Sequence, residues 1–259
     1  MKHNVRVIAR LDIKSRKLVK GVNLEGLRII GDPIEYLKHY IDTGIDELFI
    51  LDVNASLYGF EHDYEYLAEI SKYVNVPITV GGGVTSIDTF EKILNAGADK
   101  VSSNTIYTKK PNMINEIVNH FGSQSVVVYI ESKKQVLGSY NDNTYRVYTE
   151  NGRSRTNLVL EDWVYEIQDR GCGEIVFTSV EKEGLQNGFD DEIIKKISDI
   201  SRVPLIISGG YGNTNDLEIM KTSHIDGIAI AATFHYGKDN VKNVKQKLIE
   251  IGFEIRTLC

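Results

Sequence analysis

The chain has few of the residues that mark several classes of protein. Only two cysteines and four prolines occur in 259 residues, and no apolar stretch approaches the ~20 residues that cross a membrane. Cys172 and Cys259 are far apart, and we expect both to be reduced thiols of a cytoplasmic protein. The net charge of −6 comes without a basic run, so nucleic acid is not expected as a partner. The six histidines lack metal-ligand spacing, and neither a metal nor another cofactor is expected.

Short apolar runs alternate along the chain with amphipathic stretches. The runs span residues 5–11, 48–53, 77–80, 100–103, 126–130, 174–179, 204–208 and 227–231. Stretches with apolar residues at helical spacing include 33–43, 87–96, 112–121, 160–170 and 190–200. Apolar strands separated by helices predict a parallel sheet that is covered on its faces. Eight such units predict an α/β fold, a single (β/α)8 TIM barrel over residues 1–259.

Features of the first half of the chain recur in the second half. Asp12 follows the first run and Glu131 the fifth, about 119 residues later, and the glycines at 82–83 and 209–210 are about 127 residues apart. Two fused and diverged half-barrels explain these offsets.

Two long polar segments interrupt the alternation of apolar runs and amphipathic stretches. Residues 14–32 are predicted to form a mobile active-site lid, and residues 133–157 an inserted hairpin.

Two carboxylates stand out at the strand ends where such barrels carry their reacting groups. Asp12 and Glu131 end the first and fifth strands, which face each other across the barrel mouth. Two carboxylates across one pocket are suited to paired general acid and base catalysis. The sequence leaves open which of the two is the acid.

Glycines at the same strand ends predict phosphate sites, because backbone amides can approach a phosphate closely there. Residues 82–83 with 104–105 form one predicted site, and residues 209–210 with 232–233 form its counterpart in the other half. The predicted substrate is therefore long and carries a phosphate at each end. The residues predicted to bind it at these strand ends are Asp52, Gly82, Gly83, Asn104, Thr105, Thr178, Gly209, Gly210, Ala232 and Thr233.

A set of motifs spread over the chain is typical of one family. They include RLDIK at 10–14, LVKGVN at 18–23, GDP at 31–33, DELFILD at 46–52, TVGGG at 79–83, GADKVS at 97–102, FGSQ at 121–124, GFD at 188–190, SGG at 208–210 and FHY at 234–236. From near residue 6 to the C-terminus, the chain resembles HisF, the cyclase subunit of imidazole glycerol phosphate synthase.

The resemblance implies a particular reaction and a partner. A HisF cyclase takes ammonia from a HisH-like glutaminase and uses it to split and cyclise a bis-phosphorylated ribulosyl aminoimidazole compound. The family's first catalytic aspartate matches Asp12, and its lid lysine matches Lys20. The charged ring where ammonia enters the bottom of the barrel, and a contact to the glutaminase, match Arg6, Glu47, Asp99, Lys100 and Glu174.

The departures from the family pattern fall at the reacting end of the barrel. The second catalytic aspartate is Glu131 here, and the aspartate of the loop after the sixth strand is Glu183, which we also expect to contact the substrate. Arg10 stands where the family has a small residue, Asn54 replaces a threonine, and Ala232 replaces a serine of the second phosphate site. Each change alters a side chain near the reacting atoms, whereas the scaffold motifs are kept.

Three functions stay open at this point. The first is the cyclase reaction in histidine biosynthesis. The second is a HisF-like barrel that uses ammonia to amidinate a sugar for a surface polysaccharide. The third is an inactive barrel that activates a glutaminase. The retained Asp12, Lys20 and glycine sites favour an active enzyme.

Overall fold

The structure is a computed structural model that describes residues 4–53, 55, 61–135 and 144–256. Its extended segments belong to one connected sheet. The strands of the described residues are β1 (Arg6–Lys14), β2 (Lys17–Val22), β3 (Glu25–Gly31), β4 (Glu47–Asp52), β5 (Ile78–Gly81), β6 (Lys100–Ser103), β7 (Val126–Lys134), β8 (Tyr145–Thr149), β9 (Ser154–Val159), β10 (Glu174–Ser179), β11 (Leu205–Ser208) and β12 (Gly227–Ile230).

Eight parallel strands close into a barrel. Their order around the ring is β1, β4, β5, β6, β7, β10, β11 and β12, and β12 pairs with β1 again. The pairing of β7 with β10, with Glu131 opposite Thr178, completes the closure. Each barrel strand matches one of the eight apolar runs, and β6 and β10 have the predicted bounds. The predicted (β/α)8 fold is confirmed.

Helices lie between the barrel strands. In the described ranges they are α1 (Pro33–Asp42), α2 (Tyr64–Ser71), α3 (Ile87–Asn95), α4 (Thr105–Lys109), α5 (Asn112–Phe121), α6 (Leu160–Asp169), α7 (Asp191–Ile200), α8 (Ala232–His235) and α9 (Val241–Glu250). Local chemistry determines where they begin. Asp32 caps α1 by accepting a hydrogen bond from the Ile34 amide, and Pro33 occupies the first turn. Asn240 caps α9 in the same way.

The alternation of side chains along the barrel strands separates two apolar layers. The larger layer lies between strands and helices and contains Val7, Ala9 and Leu11 of β1. The smaller one fills the barrel interior and consists of Ile8, Phe49, Leu51, Val127, Tyr129, Val176, Ile206 and Ala229. The inward-facing side chains of β1 are therefore Arg6 at the bottom of the barrel, Ile8 in its interior, and Arg10 and Asp12 at its mouth.

Two antiparallel insertions extend the barrel at equivalent places in its two halves. β2 and β3 follow β1, and β8 and β9 follow β7. The prediction of a loop over residues 14–32 therefore misses two strands. In β2, only Leu18, Val19 and Lys20 are buried. No residue of β3 is buried, so its sequence lacks the alternation of apolar and polar residues that predicts a strand. Residues 133–157 contain the end of β7, all of β8 and most of β9, which ends two residues later than predicted, and residues 136–143 lie outside the described ranges.

The structure also bears on the cysteines, on membrane-spanning helices and on metal-binding clusters. Cys172 is buried and unpaired, whereas Cys259 and Asn54 lie outside the described ranges. Across residues 4–53, 55, 61–135 and 144–256, no helix is both long and apolar enough to span a membrane. No cluster of three or more metal-binding side chains was found in that part of the chain.

Candidate active site

A cavity of about 250 Å³ opens at the C-terminal ends of the barrel strands. Both halves of the predicted carboxylate pair line it, together with Lys20 and the first predicted phosphate site. The predicted residues that line this cavity are Asp12, Lys20, Asp52, Gly82, Gly83, Asn104, Thr105 and Glu131. We call it the mouth cavity.

Asp12 lies between two cations at the mouth. Its Oδ1 accepts a hydrogen bond from Arg10 Nε at 2.9 Å, and its Oδ2 accepts one from Lys20 Nζ at 3.0 Å. The inward face of β1 places Arg10 and Asp12 side by side, and the pairing of β2 with β1 brings Lys20 to them. Burial alone would raise the pKa of Asp12, but the two cations outweigh burial and hold that pKa well below its ordinary value. Asp12 is therefore ionised at neutral pH.

Glu183 completes a buried group of charges. It is paired with Lys20 Nζ, and its Oε2 lies 3.5 Å from a terminal nitrogen of Arg10. Burial opposes ionisation of Glu183, but Lys20 and Arg10 lower its pKa. We call Arg10, Asp12, Lys20 and Glu183 the mouth cluster. All four are at most 3% exposed, and their two positive and two negative charges balance, as buried charges must.

Glu131 lies in a different environment from Asp12. Its Oε2 accepts a hydrogen bond from the amide of Gly152, in the turn between β8 and β9, at 2.8 Å. No ion pair of Glu131 is found among the described residues. Burial raises the pKa of Glu131 to about 7, and the Gly152 amide offsets this only in part. Asp12 is thus ionised at neutral pH, whereas Glu131 gains or loses a proton near pH 7. Of the two, Glu131 is therefore the better suited to transfer a proton.

The first glycine site opens into the mouth cavity. Gly82 and Gly83 have φ of +94° and +64°, values that favour glycine. A Cβ on Gly82 would lie 2.2 Å from the carbonyl oxygen of Asp52, so only glycine fits this turn. Asn104 donates from Nδ2 to the carbonyl of Tyr148 at 2.8 Å. The site therefore presents closely approachable backbone to the cavity, as phosphate binding requires.

Two buried polar atoms of the cavity wall have no hydrogen-bond partner among the described residues. They are the hydroxyl oxygen of Ser102 and Oδ1 of Asn104. A buried polar group without a partner costs about 1–3 kcal/mol, so such groups are usually paired. These atoms indicate where a polar ligand would bond.

The second glycine site is almost closed. Glu183, Gly209, Gly210 and Ala232 line a separate cavity of about 20 Å³, which is room for about one water molecule. The Glu183 carboxylate fills the approach to this site, since a Cβ on Gly209 would lie 3.0 Å from Glu183 Oε2. Thr233 donates its hydroxyl to the Tyr211 carbonyl at 2.5 Å. Thr178, a neighbour of Gly209, is also buried. The two predicted phosphate sites are therefore not equivalent.

Four charged residues form a ring at the opposite end of the barrel. Arg6 lies 2.8 Å from Glu47 and 2.6 Å from Glu174, and Lys100 lies 2.6 Å from Glu47 and 2.9 Å from Glu174. We call these residues the bottom ring. Positive and negative charges alternate around it, as expected from their positions at the strand starts, and the apolar interior of the barrel lies between this ring and the mouth.

Asp99 has a structural contact beside the bottom ring. Its Oδ2 accepts a hydrogen bond from the Ile78 amide at 2.8 Å and so holds the start of β5. Asp46 and Asp226 accept equivalent bonds at the starts of two other strands, each at 2.8 Å. A partner contact of Asp99 would come in addition to this scaffold role.

Sequence reasoning does not predict a role in the site for two groups. Arg10 stands out in the sequence only as a departure from the family pattern, although it lies two residues before Asp12 and so shares its inward face. The amide of Gly152 reaches Glu131 through an insertion whose position no sequence pattern indicates.

Comparison with known proteins supplies the family. The model of a family described as "Histidine biosynthesis protein" matches residues 6–240. The imidazole glycerol phosphate synthase subunit HisF of Legionella pneumophila is 46% identical over 213 residues, which cover 82% of this chain and 98% of that protein. The chain belongs to the HisF family of histidine biosynthesis proteins.

Other members of the HisF family match nearly the whole chain. The HisF subunit of Natranaerobius thermophilus is 38% identical over 252 residues, 97% of this chain and 98% of that protein. The HisF subunit of Thermotoga sp. strain RQ2 is 37% identical over 251 residues, 97% of each chain. HisF is the cyclase subunit of imidazole glycerol phosphate synthase, an enzyme of histidine biosynthesis. The resemblance inferred from the motifs is confirmed.

Proposed function

We propose that this chain is a cytoplasmic cyclase subunit of the imidazole glycerol phosphate synthase type, which receives ammonia from a HisH-like glutaminase. Its substrate would be the bis-phosphorylated ribulosyl aminoimidazole carboxamide, and its products imidazole glycerol phosphate and the aminoimidazole carboxamide ribotide. The observation that carries the proposal is the placement of Asp12 and Glu131 in one mouth cavity, above an apolar bore and the bottom ring.

The environments of Asp12 and Glu131 assign them different roles in this reaction. When ammonia adds to a carbonyl carbon, its nitrogen must lose protons, and the group that leaves must gain one. Glu131 can accept the first proton and return it later, because its pKa of about 7 populates both of its forms at neutral pH. Asp12 stays ionised and stabilises the positive charge that develops on the nitrogen.

The bottom ring is proposed as the entrance for ammonia and the docking end for the glutaminase. Its alternating charges occupy the strand starts, and the apolar side chains above it would let neutral ammonia pass while disfavouring ammonium. Ammonia would then reach the mouth next to Asp12 without crossing bulk solvent.

The ring also predicts an effect on stability. Lys100→Met removes one cation and leaves Glu47 and Glu174 with Arg6 alone, so we expect the free energy of unfolding to fall by about 1–3 kcal/mol. Lys92→Met is the matched control, because the Lys92–Asp88 pair is exposed, and no measurable change is expected there. Urea unfolding at pH 7 compares the two. Equal effects of both substitutions would show that the ring is no more than a solvated rim.

An ammonium-dependent assay tests the proposed activity. Purified chain is mixed with a high concentration of ammonium salt at alkaline pH and with the ribulosyl aminoimidazole substrate, and the loss of substrate absorbance is followed. Turnover in the wild type that disappears in Asp12→Asn supports the cyclase. Tight substrate binding without turnover would support an inactive barrel that activates a glutaminase.

A second candidate is ammonia-dependent amidination of a sugar. The nearly closed second glycine site favours it, because a substrate with one phosphate would not need that site. Absence of both turnover and binding of the ribulosyl compound in the same assay would select this candidate.

A further inference from the structure

We propose that Glu183 is a place-holder in the second glycine site, and that Arg10 and Lys20 bind the second phosphate of the substrate once Glu183 has left. This inference rests on the proposed bis-phosphorylated substrate. It assigns a phosphate-binding role to Arg10, which no motif of the chain indicates.

The position of the Glu183 carboxylate is the first argument. It lies against Gly209 and shares its small cavity with Gly210 and Ala232. A phosphate cannot enter a space of about 20 Å³, and the carboxylate would also repel it. The second glycine site can therefore accept a phosphate only when Glu183 moves away.

The partners of Glu183 are the second argument. Lys20 and Arg10 hold its carboxylate, and Arg10 also lies 3.4 Å from the hydroxyl oxygen of Ser208, the residue before Gly209. Both cations line the mouth cavity and hold the carboxylate that lies against Gly209, so they adjoin the site that the phosphate would enter. Arginine and lysine are the usual cationic ligands of phosphate, and a guanidinium can offer two parallel donors.

Charge balance makes an exchange more favourable than simple removal of Glu183. If Glu183 left without a replacement, the mouth cluster would keep two cations against Asp12 alone, which is costly in a buried site. An entering phosphate restores the lost negative charge. Arg10 would also supply a donor at the site where Ala232 lacks the hydroxyl of the family's serine.

The loop that carries Glu183 contacts the β2–β3 hairpin. The carbonyl of Glu183 accepts a hydrogen bond from the Asn23 amide at 2.8 Å, and Gly184, with φ of +77°, packs closely on the carbonyl of Gly21. Lys20 belongs to the same hairpin. If the backbone of this loop moves when Glu183 leaves the site, the movement would act on the hairpin, whose residues line the mouth cavity.

The experiment counts phosphates bound per chain by isothermal titration calorimetry with inorganic phosphate. We compare the wild type, Glu183→Ala and the charge-balanced double variant Arg10→Met with Glu183→Ala, which leaves Lys20 paired with Asp12. Glu181→Ala, on the same loop, is the control. The wild type and the control are expected to bind one phosphate, Glu183→Ala two, and the double variant one. Affinity for the ribulosyl bisphosphate, measured without ammonia, should rise about tenfold or more in Glu183→Ala.

The place-holder is contradicted if Glu183→Ala still binds one phosphate with unchanged affinity for the bisphosphate. The role of Arg10 is contradicted if the double variant still binds two phosphates. Folding of each variant is checked by circular dichroism and urea unfolding. These outcomes are independent of turnover, so a failed inference is distinguishable from a failure of the cyclase proposal in the ammonium assay.

Discussion

Glu131→Gln is expected to lower ammonia-dependent turnover by about 10²- to 10⁴-fold, the usual contribution of a general acid or base. The substitution keeps the size of the side chain and leaves an oxygen for the Gly152 amide, but it removes the group that exchanges a proton near pH 7. The rate is measured with saturating substrate at a constant concentration of free ammonia, so that titration of ammonium does not enter the comparison.

The same substitution is expected to stabilise the protein at high pH. The pKa of Glu131 is raised from 4.5 to about 7 in the folded chain, so its burial costs stability as pH rises from about 4.5 to 7. Above this range, Glu131→Gln should exceed the wild type in free energy of unfolding by about 3 kcal/mol. A variant that loses activity while gaining stability cannot owe its lost rate to unfolding.

The pH profile gives a further readout for Glu131. The wild-type rate should rise with pH through about 7 as Glu131 ionises, and this rise should be absent in Glu131→Gln. Glu150→Gln is the control, because Glu150 lines the same cavity but is exposed and paired with Lys109. A wild-type profile in Glu131→Gln, or an equal loss of rate in Glu150→Gln, would show that Glu131 does not transfer the proton.

Arg10→Met is expected to lower the free energy of unfolding at pH 7 by about 3–5 kcal/mol. The cause is that Asp12 and Glu183, both buried and ionised, would be left with Lys20 as their only paired cation in the described part of the chain. The side-chain volume is largely kept, so the effect would come from charge. Arg202→Met, which breaks the exposed pair with Asp169, is the control and should have little effect.

The pH dependence of this effect follows from the lowered pKa values of Asp12 and Glu183. A carboxylate with a lowered folded-state pKa stabilises the protein above its ordinary pKa, and that stability is lost as pH falls through the lowered value. The difference between wild type and Arg10→Met should therefore shrink as pH falls below about 4. A difference that is the same at pH 7 and pH 3 would assign the loss to packing instead of charge.

The barrel could be predicted from the sequence because its signals are local. Runs such as residues 126–130 are apolar throughout, as strands buried on both faces must be, and the intervening helices have apolar residues at helical spacing. β2 and β3 are missed because only three residues of β2 are buried, one of them a lysine, and no residue of β3 is buried. Local hydrophobicity is too weak a signal for such an insertion.

The candidate site could be predicted only in part. Strand ends identify Asp12, Glu131 and the glycines, since their placement follows from the fold. The mouth cluster depends on contacts between distant parts of the chain, such as Lys20 with Glu183, which are 163 residues apart. In the sequence, Arg10 and Glu183 are two separate departures from the family pattern, and nothing indicates that they are in contact. Only their contact explains why one glycine site is open and the other nearly closed.

The most direct test of the account is to follow the nitrogen of ammonia into the product. The chain is supplied with ¹⁵N-ammonium and the ribulosyl aminoimidazole substrate, and the products are examined by NMR and mass spectrometry. The account predicts imidazole glycerol phosphate with one ¹⁵N in its ring, formed by the wild type and not by Asp12→Asn. Recovery of unchanged substrate from the folded wild type, or equal labelling by Asp12→Asn, would contradict it.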